Sequence, residues 1–278
     1  MFGGDVSPES TVFGSGDPDS AVVGSVHGDE PTGVRAIHRV LEPPPTFDRP
    51  VKFVVANPPA AVAHRRYLDV DMNRVFPGDA DADERERRLA AQLVAETDDC
   101  TVLSIHTTRA TSDPVAFVTS EHRRTLEVVS QLPLDYVVNE RPTVDSAFSS
   151  TGAVSVEVGK PERDDAIAKA EEIIRAFLRV VGAVDEPSPP TSSPAYFTTD
   201  DTIEKPGSHD SYELLVENFE RVEAGTAYAK ADGETLVADE SFVPILVSET
   251  GYDDIFGYRG HRTADSLDGA RDAWLGDG

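Results

Sequence analysis

His27 and Glu30 stand three residues apart in the stretch Gly24-Ser25-Val26-His27-Gly28-Asp29-Glu30, directly after an apolar run and directly before Pro31. Side chains so spaced across a strand-to-helix turn can aim at one point. An imidazole and a carboxylate aimed together suit a zinc ion. Alone, the pair is a weak signal, since most such pairs are ordinary surface residues. His106 closes a second apolar run, residues 101–105, where an isolated histidine is more often a hydrogen-bonded structural residue. Together the three residues make up two histidines and a glutamate. That set holds one zinc per chain and leaves a fourth position open for water.

Glu157 lies inside Ala153-Val154-Ser155-Val156-Glu157-Val158-Gly159. An ionised acid in such a run is costly to bury without a partner. Either it faces solvent from one side of a strand, or it acts as a base beside a metal. In the second case it would take a proton from the attacking water and pass it to a leaving amine. A third cluster runs from Arg65 to Gly78 and contains Arg66, Asn73 and Arg74. Guanidinium groups bind carboxylates through paired hydrogen bonds and stabilise a developing oxyanion. The bland alternative is that these arginines neutralise Asp69 and Asp71. A P-loop, a CxxC pair and a G-x-S-x-G elbow are absent, and Gly14-Ser15-Gly16 lacks the third glycine of a dinucleotide site.

These residues need a scaffold, and the first two thirds of the chain alternate strand-like with helix-like segments. Residues 21–26, 51–56, 101–105, 115–119, 136–138 and 153–158 read as strands. Residues 31–41, 84–95 and 163–181 read as helices, the last with Ile167, Ala170, Ile173, Ile174, Phe177, Leu178 and Val181 on one stripe. His27, His106 and Glu157 thus fall at strand ends, where sites in α/β sheets form. Residues 187–194 read as a proline-rich linker. Beyond it the pattern changes to short strands (195–199, 213–216, 226–229, 235–238, 243–247) with Asp232-Gly233 as a hairpin turn. The expectation is a catalytic α/β domain over residues 1–186 and a small β domain over 195–278 that caps the site.

The 278 residues carry 51 acids against 25 bases, a formal net charge of −26. Such a surface repels phosphate backbones and anionic lipid, which argues against nucleic-acid and membrane partners. The acids are dispersed along the chain, a pattern that suits a surface adapted to high salt. Cys100 is the single cysteine, so no internal disulfide forms and a reducing cytoplasm is expected. The first twenty residues show neither a basic nor an apolar leader region. No apolar run approaches a membrane span. Nothing in the sequence sets an oligomeric state.

At these motifs the sequence resembles the succinylglutamate desuccinylase/aspartoacylase family, relatives of the zinc carboxypeptidases. The resemblance rests on the His27–Glu30 stretch, Asn57-Pro58, and Arg66-Tyr67 followed by Asp71-Met72-Asn73-Arg74-Val75-Phe76. Ile105-His106-Thr107-Thr108 and Val156-Glu157-Val158-Gly159 extend it, with a weaker match from Pro244 to Tyr252. It implies a mixed central sheet flanked by helices with a smaller C-terminal β domain. It further implies His27, Glu30 and His106 as zinc ligands, Glu157 as general base and Arg66 as the residue polarising the scissile carbonyl. Asn73 and Arg74 would hold a substrate carboxylate, and Tyr252 would reach in from the β domain, although it could instead pack with Phe256 and Tyr258. The implied substrate is a small acidic N-acylated amino acid. A peptide for a carboxypeptidase, or a metabolite for a non-catalytic binder, are the other readings. Aspartoacylases carry a tyrosine and an arginine some ten residues before the catalytic glutamate. Here Thr143 and Ala147 fall at those positions, with Arg141 as a conceivable substitute.

Overall fold

Residues 7–119, 123–161, 163–186, 193–207 and 211–275 are described by a computed structural model. From the N-terminus come β1 (Glu9–Phe13), β2 (Ser20–Gly24), α1 (Thr32–Leu41), β3 (Val51–Val55) and α2 (Pro58–Ala63). Next follow α3 (Arg85–Thr97), β4 (Thr101–His106), β5 (Val115–Val118), α4 (Arg123–Val129), β6 (Tyr136–Asn139), β7 (Val154–Glu157) and α5 (Asp164–Val180). The last part holds β8 (Ala195–Glu204), β9 (Tyr212–Leu214), β10 (Ala227–Ala231), β11 (Glu234–Val237), β12 (Val243–Ile245), β13 (Ile255–Ala264) and α6 (Leu267–Leu275).

Ten strands make one mixed sheet in the order β1-β3-β2-β4-β7-β5-β6-β8-β13-β12. β3, β2, β4 and β7 run parallel, and β5 turns antiparallel against β7. Alternating residues of β2 serve opposite faces, as a strand requires. Val22 joins Ile37 and Val40 of α1 and Ile173, Ile174 and Phe177 of α5 in one core. Ala21 and Val23 join Leu89 and Leu93 of α3 and Phe148 in the core of the other face. Each such aliphatic side chain contributes about 1.5–3 kcal/mol on full burial, so helices on both faces hold the strand ends in place.

The mixed sheet, its flanking helices and a separate small antiparallel sheet near the C-terminus match the expected fold class. The chain after residue 194 is divided differently from expectation. β8 pairs in parallel with β6, so the large sheet continues across the boundary expected at residue 186, and β13 and β12 extend it further. The open edge of β6 supplies unpaired backbone groups, and β8 satisfies them. Only β9, β10 and β11 form the separate sheet, with Asp232 and Gly233 at positive φ in the hairpin. That sheet packs onto β8 and β13 through Ala229, Ile203 and Phe256. Of the expected linker, residues 187–192 lie outside the described residues. Among the described residues no helix is long and apolar enough to cross a membrane.

Candidate active site

The turn between β2 and α1 is held from two sides. Gly28 lies so close to α2 that a Cβ there would run into the backbone of Ala60. Its N–H donates to the carbonyl of Arg66 at 3.2 Å, and the Asn57 N–H donates to the carbonyl of Ser25 at 3.0 Å. The clamped turn buries His27 and Glu30, 3% and 6% exposed, and β4 delivers His106 to the same spot. One ligand atom from each lies within 4.8 Å of the others.

The ring orientations are specific. Nδ1 of His27 is 2.8 Å from Glu30 Oε1, and Nδ1 of His106 is 3.6 Å from Glu30 Oε2. Behind the rings, Nε2 of His27 meets Asp71 Oδ1 at 3.0 Å and Nε2 of His106 meets Ser104 Oγ at 2.9 Å. Both imidazoles therefore turn the same nitrogen inward while a second group fixes each from outside, the arrangement that orients metal-ligating histidines. Burial opposes charge on His27, yet Glu30 and Asp71 outweigh it and raise its pKa to about 9. Glu30 is held well below the carboxylate range: burial opposes this, but His27 and His106 prevail. Burial lowers His106. Two imidazoles and one carboxylate, each backed or shared in this way, fit a metal ion.

Glu157 is level with His106 in the β4–β7 register. Its Oε2 is buried with no hydrogen-bond partner among the described residues. Burial first, then the charge of Glu30, raises its pKa. Both acids face a cavity of about 1070 Å³.

The loop after α2 brings Arg66 and Arg74 to this cavity, and Arg109, Lys160 and Arg163 stand elsewhere on its wall. Arg66 donates from Nε to Asp71 Oδ2 at 2.9 Å and from Nη1 to Glu30 Oε1 at 3.4 Å. The pairing of an arginine with Asp71, weighed above as the bland alternative, is thus present, and it carries Arg66 to the cluster of His27, Glu30 and His106. Asn73 accepts the Phe148 N–H on Oδ1 at 2.8 Å, which leaves its Nδ2 as a donor. Arg74 lines the cavity from an exposed position. The loop is organised by a residue the sequence reading overlooked. Glu86 is fully buried on α3 and accepts the backbone N–H groups of Leu68, Asp69 and Val70 at 2.7, 3.0 and 3.3 Å. Asp71 and Ser104 were likewise not foreseen as supports of the histidines. Ser104 is two residues from His106, on the same strand face, and that period was the available signal.

Tyr252 lines the cavity from the loop before β13, its ring edge-on to Tyr258 at 6.3 Å between centroids. Burial raises its pKa. It therefore both faces the cavity and packs on Tyr258. Lys205 ties this loop by donating to the carbonyls of Glu249, at 3.0 Å, and Tyr252. Arg141 is exposed and is not part of the cavity wall. Thr143 shares its hydroxyl with Thr199 at 2.8 Å, and Ala147 is buried.

Residues 17–181 match the family described as "Succinylglutamate desuccinylase/Aspartoacylase catalytic domain". The chain belongs to this family. Succinylglutamate desuccinylase/aspartoacylase relatives include the N-alpha-acetyl-L-2,4-diaminobutyric acid deacetylase of Halomonas elongata, 26% identical over 66% of this chain and 60% of that protein. The N-acyl-aromatic-L-amino acid amidohydrolase of Rattus norvegicus is 44% identical over 20% of this chain and 18% of its own length. The chain therefore spans about three fifths of the first relative and under a fifth of the second. Among solved structures, the product-bound ectoine utilization protein of Ruegeria pomeroyi superposes with a TM-score of 0.73 at 18% identity, covering 91% of this chain and 87% of that one. Murine aminoacylase 3 gives 0.67 at 20% identity, covering 89% and 97%. At these identities the superpositions speak for the fold.

Proposed function

We propose that the chain is a zinc-dependent hydrolase cleaving the amide bond of a small N-acylated amino acid. The carrying observation is Glu157. Its unpartnered buried oxygen stands level with His106, beside two histidines whose Nδ1 atoms converge on Glu30. His27, Glu30 and His106 would hold the zinc, whose usual donors they are. When bound, zinc supplies Lewis acidity toward the amide carbonyl and the attacking water.

The chain's own residues divide the remaining work. Glu157 takes the proton of the attacking water at Oε2 and delivers it to the departing amine nitrogen. Its raised pKa makes it a stronger base than an exposed glutamate and keeps the acid form accessible near neutral pH. Arg66, fixed by Asp71 and Glu30, places a positive charge where the carbonyl oxygen becomes anionic. The Asn73 amide and the Arg74 guanidinium bind the α-carboxylate of the substrate. Tyr252 and its loop, part of the segment 195–278, close the cavity on the far side and exclude water. The deacetylase and amidohydrolase activities named for the relatives support amide hydrolysis. The lone Cys100 and the acidic surface support a cytoplasmic setting of high salt.

Zinc-loaded protein assayed at high salt with N-acetyl, N-succinyl and N-formyl amino acids tests the reading, alongside metal analysis of His106→Ala. Turnover of at least one acyl class is expected, with zinc lost from the variant. Full zinc in His106→Ala, or no hydrolysis across the panel, overturns it.

A further inference from the structure

Glu140, directly after β6, has no part in the chemistry above. It is only 9% exposed, yet it lines the same cavity as Glu157, Arg74, Tyr252 and Tyr258. One oxygen, Oε1, accepts the hydroxyl of Ser149, itself fully buried in the single-turn helix Phe148–Thr151. Among the described residues Glu140 forms no salt bridge. Burial pushes its pKa up to about 7, against the opposing pull of the Ser149 hydrogen bond and the charge of Arg74. A carboxylate in this state lacks a cationic partner.

The surroundings narrow what that partner is. An ionised carboxylate only accepts hydrogen bonds, so it is best satisfied by a positively charged N–H donor. An acidic ligand group placed here would meet a like charge. The nearby wall offers it little: Thr143 is engaged with Thr199, Ala147 has no polar group, Arg141 is outside the cavity, and Arg74, whose charge reaches Glu140, forms no salt bridge with it. Arg74 lines the cavity as well, so one ligand can place an anionic group on Arg74 and a cationic group on Glu140. A diamino acid has that charge pattern, with its α-carboxylate on the first and its side-chain ammonium on the second.

We infer that Glu140 is a specificity residue that receives the ammonium of a basic side chain, so that the preferred substrates are Nα-acylated diamino acids rather than acylated acidic ones. This rests on the deacylase reading of the same cavity.

Calorimetric titration of the zinc-loaded protein with L-ornithine, L-norvaline and L-glutamate tests binding without turnover. The three Nα-acetyl derivatives then test kcat/KM. Ornithine is expected to bind at least about tenfold more tightly than norvaline, and glutamate most weakly. Glu140→Gln, which keeps the shape and the Ser149 contact, should bring the ornithine-to-norvaline ratio close to one. Norvaline or glutamate binding as well as ornithine in the parent overturns the inference, whatever the stability of the variant. So does an unchanged ratio in Glu140→Gln. Hydrolysis of all three derivatives without a cationic preference defeats this inference alone. A Glu140-dependent ornithine preference without hydrolysis of any derivative defeats the deacylase reading and leaves the cation site standing.

Discussion

Asp71 holds His27 with one oxygen, at 3.0 Å from Nε2, and Arg66 with the other, at 2.9 Å from Nε. A single carboxylate thus sets the orientation of the ring proposed to ligate the metal and of the guanidinium proposed to act on the substrate carbonyl. Its pKa is lowered: burial opposes this, and the contacts with His27 and the charge of Arg66 dominate. Asp71→Asn keeps the outline but removes the charge. Zinc affinity is expected to fall about 10–100-fold, read by chelator competition. Unchanged affinity would show that His27 needs no such support.

Glu157→Gln keeps the length of the side chain and removes its ability to accept a proton. Turnover should fall about a hundredfold or more with zinc content unchanged. Steady-state kinetics beside metal analysis decides the point, and near-parental turnover refutes the base role.

Glu86→Gln should damage the structure from a distance. A neutral amide offers one acceptor where the carboxylate now serves three backbone N–H groups, and its NH₂ faces a donor. A loss of roughly 2–3 kcal/mol is expected for such buried charged hydrogen bonds, seen as a melting temperature lower by about 5 °C or more. Arg66 and Asn73 sit on the loop so organised, so KM should rise as well. An unshifted melting temperature would make the Glu86 contacts dispensable.

Glu140 gives a pH dependence in the ligand-free protein. Its folded pKa of about 7 exceeds the ordinary 4.5, so between these values the folded state holds more protons than the unfolded one. Stability therefore declines as pH rises through that window. Arg74, Ser149, Tyr258 and Glu157 are the groups facing it, and they remain in Glu140→Gln. The variant should gain on the parent from pH 4.5 to 7.5, by on the order of 2–3 kcal/mol at the upper end. Melting curves of both across that range test this, and parallel curves contradict it.

Potassium chloride should raise the melting temperature from low to molar concentration, because screening relieves repulsion among charges summing to −26. A flat or falling curve would leave the high-salt reading unsupported.

The sequence made some parts of this protein legible and hid others for physical reasons. His27, Glu30, His106 and Glu157 could be read because each polar residue interrupts or ends an apolar run, and the structure brings the four into one cavity. The stripe of α5 was legible because its helical period is unbroken, and Ile167, Ala170, Ile173, Ile174, Phe177, Leu178 and Val181 are buried as expected. β13 was not, since Gly257, Arg259, Gly260 and His261 break any alternation. Gly260 is required there: a Cβ would strike the carbonyl of Thr198 on β8, so the residue that hides the strand is also what lets it pair. Nor could Glu86 and Glu140 be distinguished from surface acids, because one sequence does not say which of 51 carboxylates is buried.

The junction of β6 with β8 has a bearing on how such a protein can diverge. The residues proposed for metal binding and proton transfer all precede residue 158, whereas Leu246 to Tyr252 and Tyr258, on the opposite wall, come from the late part of the chain. Because β8, β13 and β12 are hydrogen-bonded into the same sheet as β4 and β7, the two walls share one rigid floor. A lineage can therefore rewrite the 246–252 loop, by insertion or replacement, while the floor keeps the distance to His106 and Glu157. Substrate preference can drift under selection without the hydrolytic centre being rebuilt each time.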